Sequence, residues 1–572
     1  MTYRWLQKAT TNTAAVKKLN ESLNISGTLA EILVQRGILD FEEAKSFFRP
    51  QLEMLHDPFL MKDMAKAVEE IETAIGHDEK IMVYGDYDVD GTTAVSVVYS
   101  FLKKQYPNVI SYIPDRYKEG YGISLAGIDF AESEGCKLII ALDCGIKAIK
   151  QVSYASEKGI DFIICDHHQP GQELPQAKAI LNPKQADCHY PFDELSGCGV
   201  GFKLVQALCQ HWSLPDNLWQ QYLDLVAVSI GADIVPIVGE NRVLAYYGLK
   251  KINENPSEGI HWLKVNAGKE KDVLSISDVV FLLGPRINAA GRISHGKLAV
   301  ALLTGTVDSE LENIANTIGE QNQNRKELDS SITKEALQMI IDQKEEKRRT
   351  TVLFKADWHK GVIGIVASRL IENHYRPTVV FTESNGVLAG SARSVHGFNV
   401  YDALNDCSDI LEQFGGHKYA AGMTLKLEQF EAFKTRFEQV VTNTILPEQL
   451  TPQLTIDATL LFKDLTPKFY RVMHQMGPFG PQNMAPTFVS HHLLDAGSKK
   501  VGADKTHLHV RLKCPDTNLM FKGIAFGMAP LLAVLQSGDP ISVVYHVEEN
   551  SFRGETQLQL RIKDLKLTAN TN

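Results

Sequence analysis

The sequence predicts an α/β protein: a doubly wound parallel sheet, a long connecting helix, a second α/β domain and a C-terminal β-barrel. Three observations predict it. Apolar runs at 81–84, 138–142 and 161–165 recur at helix-length spacing, and each stops at an acid, as buried parallel strands joined by crossover helices do. Residues 308–345 place Leu311, Ile314, Ala315 and Ile318, then Leu328, Ile332, Ala336, Met339 and Ile340, on one stripe of a polar helix, a form suited to bridging two lobes. Beyond about residue 450 the apolar period becomes two, in short segments at 454–460, 487–489, 507–512, 541–547 and 558–562, which suggests a small barrel.

Residues 1–76 read as helical, with no chemistry of their own. The run 81–84 leads into Asp86-Tyr87-Asp88-Val89-Asp90-Gly91, with a carboxylate at every second position. Three acids crowded at a strand's carboxyl end repel one another unless a cation lies between them, and that end is where α/β sheets bind ligands. A strand at 109–113 precedes a Gly/Pro-bounded loop, 114–122, whose Arg116 and Lys118 either grip a phosphate or decorate an ordinary surface loop. The strand 138–142 ends in Asp143-Cys144-Gly145, and 161–165 in Asp166-His167-His168. Three strands thus deliver acids and imidazoles to one edge. Carboxylates with imidazole and no thiolate suit Mn²⁺ or Mg²⁺, and several acids suggest two ions sharing one carboxylate, a device for in-line attack on phosphorus.

The Gly-rich stretch 195–201 before a helix at 202–209 reads as a tight turn or a phosphate cradle. A helix at 223–230 presents Asp233 in an apolar setting, where it needs a metal or an arginine partner. Residues 284–292 read as a small-residue loop carrying Arg286, Asn288 and Arg292. In the second α/β pattern, from 351, the segment 390–394 reads as a glycine-flanked turn with Ser391 and Arg393. Phe414-Gly415-Gly416-His417 precedes a small-residue helix start. Such short polar clusters have the form of a substrate clamp.

Composition bounds the setting. At 572 residues the chain is too long for one core. Its 44% hydrophobic content and mean hydropathy of −0.14 fit a globular protein. There is no run of eighteen apolar residues and no signal-peptide order at the start, and the eight cysteines lack CxxC spacing. Together these point to a reducing, cytoplasmic compartment and away from a membrane, zinc or a disulfide frame. The net charge of −10 gives no support to a general nucleic-acid binder, although a carboxylate cluster contributes to that count.

In order and spacing, these blocks resemble the RecJ family of single-strand-specific 5′→3′ exonucleases, within the DHH phosphoesterase superfamily, over about residues 45–570. The resemblance implies an N-terminal helical segment (1–76), a DHH domain (77–305), a connecting helix (306–347), a DHHA1 domain (348–446) and an OB fold (450–568), with 476–483 as the barrel's entry. It implies two Mn²⁺ or Mg²⁺ ions on Asp86, Asp88, Asp90, Asp143, His167 and Asp233. Asp143 would bridge, Asp88 and Asp86 would serve one ion, and Asp90, His167 and Asp233 the other, with His168 at the scissile phosphate. Arg116, Arg286, Asn288, Arg292, Ser391, Arg393 and His417 would hold the 5′ phosphate and adjacent backbone. The implied activity is processive hydrolysis of single-stranded DNA to mononucleotides in repair and recombination. The implied protein is a monomer that meets a single-stranded-DNA-binding protein and a RecQ-type helicase.

Two positions depart from the family pattern: His509, where a lysine is usual, and Arg553-Gly554, where an aromatic usually precedes the glycine. The competing readings are an enzyme of the same superfamily acting on short oligonucleotides or cyclic dinucleotides, and a non-catalytic single-strand-binding relative. A barrel argues for a polymer substrate, and the complete ligand set argues for catalysis.

Overall fold

A computed structural model describes residues 3–10, 12–293, 296–552 and 555–568. Arg553-Gly554 and the tail 569–572 lie outside the described residues. Two compact units divide the chain: Arg49–Lys326 with Gly477–Met484 in the first, and the remainder in the second. Among the described residues no helix is long and apolar enough to cross a membrane.

The N-terminal segment is not wholly helical. β1 (Arg4–Gln7) runs parallel to Gln453–Ile456, with Trp5 opposite Leu454. Four residues are too few to show a period, and the ladder partner lies far along the chain. Helices Thr13–Leu23, Gly27–Gln35 and Phe41–Phe48 follow in the second unit, and Met64–Gly76 lies in the first.

The first unit holds a parallel sheet of β2 (Lys80–Gly85), β3 (Val109–Tyr112), β4 (Cys136–Leu142), β5 (Asp161–Cys165) and β6 (Ala179–Leu181), ordered β3-β2-β4-β5-β6. Alternate residues feed two cores. Ile81, Val83, Ile140 and Ile163 enter one, and Met82, Tyr84, Ile139 and Phe162 enter the other. Helices cover both faces, which is why these strands read as continuous apolar runs. From β2 the chain crosses to β3 on one side and returns to β4 on the other. The strand order therefore reverses between β2 and β4, the place where doubly wound sheets hold ligands. There β2 delivers residues 86–90, and β4 delivers Asp143.

Three expectations for this unit are corrected. The glycines of 195–201 stand inside a helix, Gly197–His211, whose cap Ser196 accepts from the Gly199 amide through Oγ. Residues 284–292 are a helix, Gly284–Ile293, not a loop. Ala289 and Ala290 favour it, and the wide π-helical turn Val279–Leu283 just before it makes room for Pro285. From Gly477 on, the supposed barrel entry belongs to this unit: Ile237 N donates to Pro481 O, and Arg242 Nη2 donates to Gly477 O, each at 2.8 Å. A Gly/Pro stretch with few apolar side chains has little to offer a barrel interior, but its carbonyls satisfy these donors.

The second unit's α/β sheet is ordered β10-β11-β9-β8-β7, from β7 (Thr351–Phe354), β8 (Thr378–Ser384), β9 (Val387–Arg393), β10 (Gln413–His417) and β11 (Ala420–Leu425). The expected turn at 390–394 is mostly strand, and the expected helix start after 417 is a hairpin. Gly, Ala and Ser have weak preferences of their own, so pairing on both sides of β9 decides. The helix Asp308–Asp342 packs Leu311, Ala315 and Ile318 into the first unit's core. Its second half packs Ile332, Ala336 and Ile340 against Trp358, Val366 and Val380 in the second unit.

The last part comprises β12 (Gln453–Ile456), which pairs with β1, and a seven-stranded sheet of β13 (Ala458–Thr459), β14 (Phe488–Asp495), β15 (Lys499–Val501), β16 (His507–Lys513), β17 (Met520–Ala525), β18 (Ile541–Phe552) and β19 (Glu555–Leu567). A pairing of β14 with β16 closes the ring β14-β18-β19-β17-β16, a five-stranded barrel of OB type. β15 and β17 are additions to the five expected strands. β15 has only three residues, and both carry exposed lysines, which blur the alternation.

Candidate metal centre

At the reversal in the first sheet the acids meet. Asp86 is fully buried; its Oδ1 accepts weakly from Gly122 N at 3.4 Å, and its Oδ2 has no hydrogen-bond partner. Asp88 caps the helix Val89–Gln105 by accepting from Gly91 N at 3.0 Å. Asp90 is the most tightly held. The first-turn amides of Gly197 and Cys198 donate to its two oxygens at 2.7 Å each, and Ser229 Oγ donates at 2.6 Å. The Gly-rich helix start that resembled a phosphate cradle therefore binds the protein's own carboxylate, at the positive end of the helix dipole.

Asp143 stands in the left-handed backbone region at φ 58°, which for a non-glycine costs about 1–3 kcal/mol and marks a functional position. Its Oδ1 is buried without a partner. A Cβ on Gly197 would lie 2.5 Å from that oxygen, so only glycine lets the helix start and Asp143 approach.

His167 supplies the decisive geometry. Its Nδ1–H donates to the Leu195 carbonyl at 3.0 Å, which leaves the Nε2 lone pair facing inward. Nε2 lies 3.3 Å from Asp143 Oδ1, 3.6 Å from Asp233 Oδ2 and 3.8 Å from Asp90 Oδ2, and has no hydrogen-bond partner. Burial holds this imidazole below its usual pKa, hence neutral. Lone pairs facing lone pairs are repulsive, and a cation between them reverses the sign.

The ionisation of the acids says the same. Burial, then Asp88, pushes Asp86 up to about 8; burial, then Asp90, pushes Asp233 up to about 8. Burial and its acidic neighbours drive Asp143 well above the usual carboxylate range. Two groups of ligand atoms, Asp90/His167/Asp233 and Asp143/His167/His168, each lie within 4.8 Å of one another. Orphaned buried oxygens, a fixed imidazole lone pair and an all-oxygen-and-nitrogen donor set fit divalent Mn²⁺ or Mg²⁺.

Asp166 was given no role by the sequence, yet it organises the pair that follows it. Its Oδ1 accepts from the amides of His167 and His168 and from His168 Nδ1, at 2.8, 3.1 and 2.7 Å, while Oδ2 accepts from Ile146 N at 2.9 Å. Burial alone would lower the pKa of His168, but the bond to Asp166 raises it. His168 Nε2 is 3.1 Å from the Tyr121 hydroxyl. Ser229, Asp166, Tyr121 and the Leu195 carbonyl are the supports to which sequence reading gave no role; Asp166, Tyr121 and Leu195 lie inside recognised stretches, whereas Ser229 left no signal.

Of the substrate candidates, Arg116 stacks its guanidinium 4.8 Å over the Tyr87 ring. Arg286 is turned to its own unit, donating to Asn266 Oδ1 and the Leu282 carbonyl. Asn288 and Arg292 follow on the same helix, where the Tyr117 hydroxyl donates to the Arg292 carbonyl. In the second unit, Ser391 and Arg393 share a face of β9, with Arg393 Nη1 3.0 Å from Ser391 Oγ. Arg393 pairs with Ala420 and Ala420 with His417, so His417 lies in the same cross-strand row. Gly415 and Gly422, opposite Ser391's position, leave the floor open. Burial lowers the Arg393 pKa.

Residues 80–230 match the DHH family, N-terminal domain; 347–443 match the DHHA1 domain; and 456–564 match the RecJ OB domain. The single-stranded-DNA-specific exonuclease RecJ of Bacillus subtilis is 39% identical over 96% of this chain and 69% of its own length. That of Escherichia coli is 32% identical over 96% of this chain and 98% of its own. The chain belongs to the RecJ family. The RecJ of Thermus thermophilus, solved in complex with Mn²⁺, matches in structure with a TM-score of 0.84 at 26% identity, covering 99% of this chain and 80% of that one. RecJ membership accounts for the order of the three domains and for the manganese or magnesium expected from the acids.

Proposed function

We propose that this chain hydrolyses single-stranded DNA exonucleolytically, processively from the 5′ end, releasing mononucleotides by two-metal catalysis. The observation that carries the reading is the neutral His167 Nε2 held among Asp90, Asp143 and Asp233 with no proton to offer them. Asp88 with Asp86 would serve one ion and Asp90, His167 and Asp233 the other, with Asp143 shared. Bound there, two divalent ions supply Lewis-acid activation of the phosphodiester and of water at neutral pH.

The chain's own residues do the rest. Asp166 holds His168 through Nδ1, and the half-exposed ring would offer Nε2–H to a phosphate oxygen in place of Tyr121. Asp90 is fixed by three donors, so its orientation is set before substrate arrives. Ser391, Arg393 and His417 would bind the terminal phosphate, with Arg116, Arg286, Asn288 and Arg292 along the adjacent backbone. Recognition of a terminal phosphate would favour a strand end over an internal diester, and so exonuclease over endonuclease action. The setting that follows is DNA repair and recombination in the cytoplasm, as a monomer beside a single-stranded-DNA-binding protein and a RecQ-type helicase.

The test uses 5′-labelled and 3′-labelled single strands with Mn²⁺, Mg²⁺ or chelator. Immediate release of the 5′ label as mononucleotide, late release of the 3′ label and none with chelator are expected. Early release of the 3′ label would overturn the polarity; activity in chelator would overturn the metal centre.

A further inference from the structure

Past the long helix, residues 345–351 read Glu-Glu-Lys-Arg-Arg-Thr-Thr and run into β7. Arg376, just before β8, supports this turn and is only 4% exposed. Its Nε donates to Thr351 Oγ1 at 2.7 Å, and its Nη1 to the carbonyls of Glu345, Glu346 and Arg348 at 2.9, 3.0 and 2.6 Å. Its Nη2 is buried and has no acceptor among the described residues. A cavity of about 370 Å³ lies against this side chain, and Lys347, Arg348, Arg349, His374 and Tyr375 share its wall.

The negative charges nearby are mostly engaged. Glu345 pairs with Lys434 at 2.8 Å and Arg348 at 3.4 Å. Glu438 accepts from the amides of Arg349 and Thr350. Among the described residues, Glu346 is the one carboxylate in the cavity wall. A solvated basic run is the ordinary account of Lys-Arg-Arg, and it suffices for Arg348. It does not explain a guanidinium sunk beside a cavity with one nitrogen lacking an acceptor, since buried donors are nearly always paired.

We propose that this cavity is a binding site for a phosphate-bearing ligand of nucleotide size, held by Lys347, Arg349 and Arg376. Guanidinium forks match phosphate oxygens in paired, charge-assisted hydrogen bonds. The Tyr375 hydroxyl accepts from His396 N at 3.1 Å, and its ring, packed in part against the second unit's core, lines the cavity beside these cations. None of the residues assigned to the metals or to the 5′ phosphate lies in this cavity. The phosphate has two possible sources, a free nucleotide or a group on a bound strand.

The experiment uses the full chain in chelator, so that no nucleotide binds through metal. Calorimetry with dAMP, inorganic phosphate, deoxyadenosine and a 5′-hydroxyl oligothymidylate is run on wild type, on Lys347→Ala/Arg349→Ala and on Arg393→Ala. Binding of dAMP and phosphate but not deoxyadenosine is expected. The double variant should weaken one dAMP-binding component at least about tenfold, as the loss of a charge-assisted contact does, at unchanged Tm, and Arg393→Ala, which removes a contact of the proposed 5′-phosphate site, should leave that component in place. A tenfold loss confined to the oligothymidylate would support the site and make the strand its source. Equal affinities in wild type and double variant for every probe, or no phosphate-dependent binding at all, would overturn the proposal.

Discussion

At the scale of single residues, what the sequence displayed was charge. Asp86, Asp88, Asp90, Asp143 and the His167-His168 pair stand at strand ends, and crowded acids are legible without a fold. What holds them was not legible, because Ser229 and Leu195 act through one hydrogen bond each to groups distant in the chain. Charge also gives the first prediction. Asp86 and Asp233 have folded pKa values near 8, above those of an unfolded chain. A raised carboxylate pKa means the folded state binds the extra proton, so stability is greatest below the unfolded value and falls as pH rises through the folded one. Metal-free protein should therefore lose Tm between about pH 5 and pH 8, and saturating Mg²⁺ should raise Tm more at about pH 8 than at pH 6. A Tm gain from Mg²⁺ that is constant across this range would contradict the assignment of these acids to metal. The second prediction is Arg393→Ala. With a 5′-phosphorylated strand it should cost about 1.5–3 kcal/mol in kcat/KM, the scale of a hydrogen bond to a charged group. It should cost clearly less with a 5′-hydroxyl strand. Equal losses on both strands would show that Arg393 does not read the end.

At the scale of elements, the legible ones were those with long apolar runs or a long stripe. β2, β4, β5 and the helix Asp308–Asp342 fall in that group. The illegible ones are set by partners. Ser391 and Arg393 looked like a turn because Gly390, Ser391 and Ala392 have no strong preference, but β8 and β11 bind β9 from both sides. Residues 284–293 looked like a loop because Gly284 and Pro285 open them, yet a π-helical turn runs straight into the helix. β1 is the extreme case. Its ladder lies on β12, its Trp5 Nε1 donates to Asp564 Oδ2 at 2.7 Å, and Lys566 sits 3.8 Å from the Trp5 ring centroid. Trp5→Ala should therefore destabilise the second unit by about 1–3 kcal/mol, less than for a fully buried aromatic because Trp5 is only half-buried. Denaturation followed by fluorescence would read it. An unchanged transition would mean that the first strand is ornamental.

At the scale of the whole molecule, the order of sheet, helix, sheet and barrel was legible because each has its own period, whereas the exchange of segments between units was not. Residues Gly477–Met484 interrupt the second unit and belong to the first, where Pro481 O accepts from Ile237 N and Asn483 Nδ2 donates to Pro478 O. Ile237 lies only four residues past Asp233. Truncation near residue 448 thus does two things: it removes the barrel, and it strips a support from the chain that carries Asp233. Surface changes on the barrel separate these effects. Lys499 pairs across from His509, and Lys522 from Arg511, so cations flank His509. Replacing Lys499, Arg511 and Lys522 with alanine should weaken binding to long single strands and flatten its log–log salt slope by about 2, from about 0.7 per phosphate contact. Hydrolysis of strands too short to reach the barrel should be unchanged in that variant. The truncated chain should lose hydrolysis of the same short strands, because Asp233 has lost its backing. If truncation spares short strands, the 477–484 segment does not support the metal centre; if the triple variant keeps the wild-type salt slope, this face of the barrel does not carry the strand.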